Sequence, residues 1–155
     1  EPGKGTKFDV YLPLFDLTDI KAETVSPEKL AAGDEHILLV DDEKQIVDVA
    51  QQMLERLGYQ VTVRTSSIEA LEVFRASMDK FDLVITDLTM PNMTGDKLAG
   101  ELMNIRPDIP IIICTGFSER MSKEKAEALG IKGFLMKPII KNDLANTARE
   151  VLDKS

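Results

Sequence analysis

Four short apolar runs in this chain show almost no polar alternation: Ile37-Leu38-Leu39-Val40, Leu83-Val84-Ile85-Thr86, Ile111-Ile112-Ile113-Cys114 and Phe134-Leu135-Met136. A strand with one wet face alternates apolar and polar residues. Unbroken Ile, Leu and Val suit strands covered on both faces, as in a parallel sheet between helices. A fifth run, Gln60-Val61-Thr62-Val63-Arg64, does alternate and reads as the edge strand. The five runs begin near 36, 60, 81, 109 and 133, with helical spacing between them.

Ile46, Ala50, Met53 and Leu57 step by four, three and four, as one face of a helix does. Gly58 follows as a C-terminal cap. Ala70, Leu71 and Phe74 mark a second helix, with Ser66 or Ser67 as its N-cap. Leu98, Leu102 and Ile105 mark a third, ended by Arg106-Pro107. Met121, Ala128 and Leu129 mark a fourth over 118–129, between Ser118 and Gly130. Leu144, Ala148, Val151 and Leu152 mark the last. The pattern is (βα)5. Right-handed crossovers turn it into an α/β doubly wound parallel five-stranded sheet, flavodoxin-like, with strand order 2-1-3-4-5.

In that order the carboxyl ends of the strands share one edge, and ligands bind there beside strands 1 and 3. Asp41-Asp42, Asp87, Thr115 and Lys137 each end one apolar run. Two like charges ~4 Å apart repel by about 4 kcal/mol at an effective dielectric of ~20. Such a cluster raises a carboxyl pKa or recruits a cation. All the ligands are oxygens, which suits Mg²⁺, with Mn²⁺ as a substitute. A carboxylate can also form an aspartyl phosphate. Asp87 is the candidate nucleophile. Asp42 and Asp87 are candidate direct metal ligands, and Asp41 acts through water. Thr115 and Lys137 would pair with phosphoryl oxygens. Singly, each residue has an ordinary structural role: a helix N-cap, a turn aspartate, a strand-end hydroxyl, a solvated lysine. Their shared position at strand ends favours the joint reading.

The net charge is -8, from 27 acidic and 19 basic residues, which argues against nucleic acid or an anionic membrane as direct partner. Hydrophobic residues make up 43% of the chain, enough for a core. The single cysteine, Cys114, reads as a buried small hydrophobe, and the lack of a cysteine framework fits a cytoplasmic setting. No run approaches the ~20 apolar residues of a membrane span. His36, the only histidine, begins a strand away from the acidic edge and reads as structural or solvated.

The motifs resemble the receiver domain of two-component signalling. They are Leu39-Val40-Asp41-Asp42-Glu43, the acceptor stretch from Val84 through Asp87 and Met90-Pro91 to Gly95, Thr115-Gly116, Phe134, and Lys137-Pro138. The resemblance implies a receiver domain over 36–155. It implies Mg²⁺-dependent phosphotransfer from a phosphohistidine to Asp87, with the Thr89 carbonyl as a further metal ligand. It implies a cis peptide at Lys137-Pro138. It also implies a Thr115–Phe134 switch acting on the face of the fourth helix, fifth strand and fifth helix. Thr89 and Phe117 would tune how water reaches the acyl phosphate.

Residues 1–15, with Gly3-Lys4-Gly5-Thr6-Lys7-Phe8, resemble the end of a histidine-kinase ATP-binding domain, and 16–35 read as a linker. The chain then resembles the C-terminal receiver of a hybrid histidine kinase. The implied partners are the kinase domain of the parent chain and a histidine-phosphotransfer protein. The receiver would be a monomer or weak homodimer without direct membrane contact, whatever anchors the parent kinase. With no DNA-binding domain expected after the last helix, the output would be onward phosphotransfer, feedback on the kinase or a protein contact. Two other readings compete. An aspartyl-phosphate phosphohydrolase would want a second Asp two residues after the nucleophile, where this chain has Thr89. A non-phosphorylated interaction receiver would not need the full acidic, Thr and Lys set.

Overall fold

The computed structural model describes residues 32–116 and 128–154. In chain order the elements are β1 (His36–Val40), α1 (Lys44–Arg56), β2 (Gln60–Arg64), α2 (Ser67–Ala76) and a 3-10 turn at Met78–Lys80. Then come β3 (Leu83–Asp87), α3 (Gly95–Ile105), β4 (Ile111–Thr115), β5 (Gly133–Met136) and α4 (Lys141–Asp153). All five strands pair in parallel, in the order β2-β1-β3-β4-β5. This is the expected order.

Three of the four strands without alternation, β1, β3 and β4, are the central ones; the fourth, β5, departs from the expectation and forms the second edge, with Phe134 half-buried and Met136 exposed. Every residue of β3 is buried, whereas β2, at the edge, is only partly covered. One sheet face packs Ile37, Leu39, Ile85, Ile112 and Leu135 against α1 and α4. The other packs Leu38, Val40, Val84, Ile111 and Ile113 against α2 and α3. Fully burying one such side chain is worth about 1.5–3 kcal/mol, so the two layers fix the register firmly.

Several boundaries and faces differ from the sequence reading. The third and fourth strands begin at Leu83 and Ile111, where their apolar runs start, and not near 81 and 109. Phe81 and Ile109 are buried ahead of them, and Pro110 has no N–H to give to the ladder. The inward face of α1 is centred on Val47, Ala50 and Leu54, while Ile46 and Met53 flank it half-buried. The apolar stripe is wider than one row, and its centre goes to the residues that enter the core on this face of the sheet. The caps behave as expected: Ser66 Oγ accepts the Glu69 N–H at 3.5 Å, and Gly58 turns the chain after α1 at φ +100°. Most of the helix expected over 118–129 lies outside the described residues. Within them, Ala128 is helical and Gly130, at φ +81°, turns the chain toward β5. Residues 1–15 and nearly all of the 16–35 segment also lie outside. No helix among the described residues is long and apolar enough to cross a membrane.

Candidate functional site

The parallel register brings the carboxyl ends of β1, β3, β4 and β5 to one edge. Val40 faces Thr86, Asp87 faces Cys114, and Thr115 faces Met136. Strand alternation then sorts the side chains. Asp41, Asp87 and Lys137 continue the rows of Leu39, Ile85 and Leu135, on the α1/α4 side. Thr115, Phe134 and Met136 fall in the rows of the α2/α3 side.

Asp87 and Asp41 are nearly closed off, at 4% and 3% exposure, while Asp42 is exposed. Ligand oxygens of all three lie within 4.8 Å of one another. Lys137 Nζ bridges the two buried carboxylates, 2.7 Å from Asp87 Oδ1 and 2.8 Å from Asp41 Oδ2. Glu43 Oε1 stands further off, at 3.9 Å. The other oxygens are held by backbone. The Thr89 N–H donates to Asp87 Oδ2 at 3.1 Å, and the Glu43 N–H donates to Asp41 Oδ1 at 2.9 Å as α1 begins. Both turns follow from the short reach of an aspartate to the N–H two residues on.

Electrostatics match this geometry. Burial raises the Asp87 carboxyl above its ordinary value and the nearby Asp41 charge adds to that, while the hydrogen bond and charge of Lys137 work the other way. Burial works against the Lys137 ammonium, but its hydrogen bonds to Asp41 and Asp87 outweigh it and hold it firmly charged. Beneath the site, Cys114 is 2% exposed and burial pushes its thiol up to about 12.

A cleft of about 350 Å³ opens over these groups, lined by Asp42, Glu43, Asp87, Thr89, Gly116 and Lys137. The site thus offers three acidic oxygen ligands, one of them open to solvent, and a cation opposite. This donor set fits a hard divalent cation and an anion at its open side. Of the residues expected at the site, the structure gathers Asp41, Asp42, Asp87, Thr89 and Lys137. Thr115 ends β4 one residue before Gly116, and its carbonyl accepts the Lys137 N–H at 2.9 Å. Phe134 is half-buried against the α2/α3 cluster. Phe117 lies outside the described residues. The Lys137-Pro138 peptide is cis, as expected.

Three contributors escaped the sequence reading. Glu43 lines the cleft, and only its place in an acidic triplet hinted at it. Thr86, fully buried, donates its hydroxyl to the Asp87 carbonyl at 3.1 Å. Gly95 begins α3 so close to Asp87 that a Cβ there would collide with the same carbonyl oxygen. Asn92, between Asp87 and α3, takes φ 68°, a left-handed conformation that asparagine tolerates.

Comparison with known proteins agrees with this arrangement. Residues 37–149 match the family model described as the response regulator receiver domain. The chain is 34% identical to sensor kinase CckA of Brucella abortus over 162 residues, which cover 99% of this chain and 17% of that protein. It is 36% identical to the two-component response regulator ARR10 of Arabidopsis thaliana over 77% of this chain and 21% of that protein. It therefore spans about a fifth of these relatives' length. A response regulator receiver domain protein from Clostridium thermocellum superposes with a TM-score of 0.74 at 31% identity, covering 77% of this chain and 95% of the other. With the family model matched across the described sheet and the acidic edge in place, this chain belongs to the response regulator receiver domain family of two-component systems.

Proposed function

We propose that this receiver accepts a phosphoryl group on Asp87 from a phosphohistidine, in a Mg²⁺-dependent reaction. The observation that carries the reading is the position of the Asp87 carboxylate: almost buried, yet lining an open cleft, with the Lys137 ammonium on one oxygen and two further carboxylates beside it. A carboxylate oxygen of Asp87 attacks phosphorus in line. The P–N bond to the donor imidazole breaks, its electron pair stays on the ring nitrogen, and an acyl phosphate forms. Most of the catalysis is positioning and charge stabilisation. Lys137, freed from Asp87 Oδ1, pairs with a phosphoryl oxygen. Mg²⁺, held by Asp42 and Asp87, by Asp41 through water and by the Thr89 carbonyl, would neutralise charge on the phosphoryl oxygens. Thr115 donates its hydroxyl to another such oxygen, and its movement is coupled to Phe134 on the same sheet face. Thr89 and Phe117 tune the lifetime of the product.

The phosphoryl group comes from a histidine kinase domain or passes to a histidine-phosphotransfer protein, both in the cytoplasm. The similarity to a sensor kinase extends over 99% of this chain, including residues before the receiver. This supports residues 1–15 as the end of a kinase ATP-binding domain and 16–35 as the linker to the receiver. The direct test is incubation with Mg²⁺ and a small acyl phosphate, read by intact mass. A phosphoryl mass gain that Asp87→Asn abolishes is expected. Unchanged mass, or equal gain in the Asp87→Asn chain, would sink the reading.

A further inference from the structure

The residues just before β1 are held at the end of the sheet opposite Asp87. The Gly33 N–H donates at 3.1 Å to the carbonyl of Leu57, the C-cap of α1. Carbonyls at a helix end have no partner inside the helix, so this bond fills a real vacancy. The Gln60 N–H donates to the Glu35 carbonyl at 3.0 Å, which carries the β1–β2 pairing back beyond His36. Glu35 Oε1 lies 2.7 Å from Arg149 Nη1 on α4, and Arg149 also holds Asp153 at 2.7 Å, one turn on. Both side chains of the Glu35–Arg149 pair are only 24% exposed.

The seat is close-fitting. A Cβ on Gly33 would run into the Glu35 carboxylate and the ring of Tyr59, itself 3% exposed. A Cβ on Gly58 would press on the Gly33 carbonyl. Two glycines therefore let the strands of chain pass each other, and an ion pair closes over them. A flexible tether would need neither.

We propose that residues 33–35 form a strap that fixes where the preceding chain leaves the domain, by tying the C-terminal ends of α1 and α4 together at the sheet end away from Asp87. This goes beyond the phosphoacceptor reading and does not depend on it. Whatever precedes the strap starts from that end. It has to pass the length of the sheet, about 17 Å for a five-residue strand, before it can approach the acceptor. The direction of approach is thereby set by the receiver itself.

Amide hydrogen exchange on the whole chain tests the strap, comparing wild type with Glu35→Gln, Arg149→Met, the double variant and Gly33→Val. The Gly33 amide should be protected in the wild type. Each ion-pair substitution should speed its exchange by up to about five-fold, the upper range for a pair of this exposure. The double variant should be no faster than the faster single, and Gly33→Val should open 33–35 outright. Protection of the β3 amides should persist throughout. An unprotected Gly33 amide in the wild type would overturn the proposal. So would additive effects of the two single substitutions, or equal acceleration in β3, which would make the pair a contributor to global stability only.

Discussion

The Lys137 ammonium lies 2.7 Å from Oδ1 of Asp87, so the group proposed to stabilise the product already grips the carboxylate proposed to accept it. The same ammonium holds Asp41 at 2.8 Å. Removing it leaves two nearly buried carboxylates without their counter-charge. Lys137→Met should lower stability in metal-free buffer by about 1–3 kcal/mol, read from the denaturant midpoint. It should also slow phosphoryl uptake from a small donor on the order of a hundredfold, as the loss of one transition-state donor does. Wild-type uptake in this variant would rule out the stabilising role.

Metal addition gives a separate handle. Asp41, Asp42 and Asp87 place ligand oxygens within 4.8 Å of one another, and a cation bound only by the folded chain stabilises it. At tenfold over its dissociation constant, Mg²⁺ should add about 1.4 kcal/mol. Asp42 is exposed and leaves the core untouched, so Asp42→Asn should fold normally and lose most of that increment. The check is a melting temperature followed with and without Mg²⁺. Equal shifts in wild type and Asp42→Asn would remove Asp42 from the ligand set.

Gly95 supports the acceptor from behind. Its N–H donates to the Leu88 carbonyl at 2.8 Å, and a methyl there would collide with the Asp87 carbonyl oxygen. Backbone cannot yield as a flexible side chain can. Gly95→Ala should therefore cost about 1–3 kcal/mol, as overpacking does, and reduce phosphoryl uptake per folded molecule. If uptake per folded molecule is unchanged, Gly95 serves folding alone.

What the sequence makes legible and what it does not divide along physical lines. The unbroken run at Leu83-Val84-Ile85 marks a strand covered on both faces, and the structure buries it completely. Asp87 and Lys137 are legible because a strand end is a local feature, and parallel pairing sends all such ends to one edge. The centring of α1 on Val47 and Leu54 is not legible, because Ile46 and Met53 fit the same helical period and only the docking against the sheet separates them. Gly95 and Thr86 are missed for a similar reason. Each acts through distance to one backbone oxygen, which no residue spacing encodes.

Cys114 sits beneath the acceptor, register partner of Asp87, at 2% exposure. With its thiol pushed up to about 12 by burial, almost none is thiolate near neutral pH. A thiol reagent should modify it only as fast as the domain opens. The modification rate in native buffer should therefore match the unfolding-limited rate and rise sharply in denaturant. Rapid native labelling would contradict the closed packing of β4 under the site.

Glu35 supplies the pH test of the strap. Burial pushes its carboxyl upward, but hydrogen bonds from its own backbone and Arg149, together with the Arg149 charge and the Asp34 backbone, outweigh this and hold it below its ordinary 4.5. Tyr59 and Asp153 stand around the same guanidinium. A lowered carboxyl binds fewer protons in the folded chain than in the unfolded one, so stability in that window falls as pH falls. The contribution is fully present above 4.5 and is lost as pH drops through the lowered folded value. Glu35→Gln should therefore melt lower than wild type near neutral pH, with the gap closing as the pH falls below 4.5 and through the lowered folded value. Arg149→Met should close the same gap, because the ion pair is the shared cause. A gap that stays constant across the titration would mean that Glu35 holds the strap by shape rather than by charge.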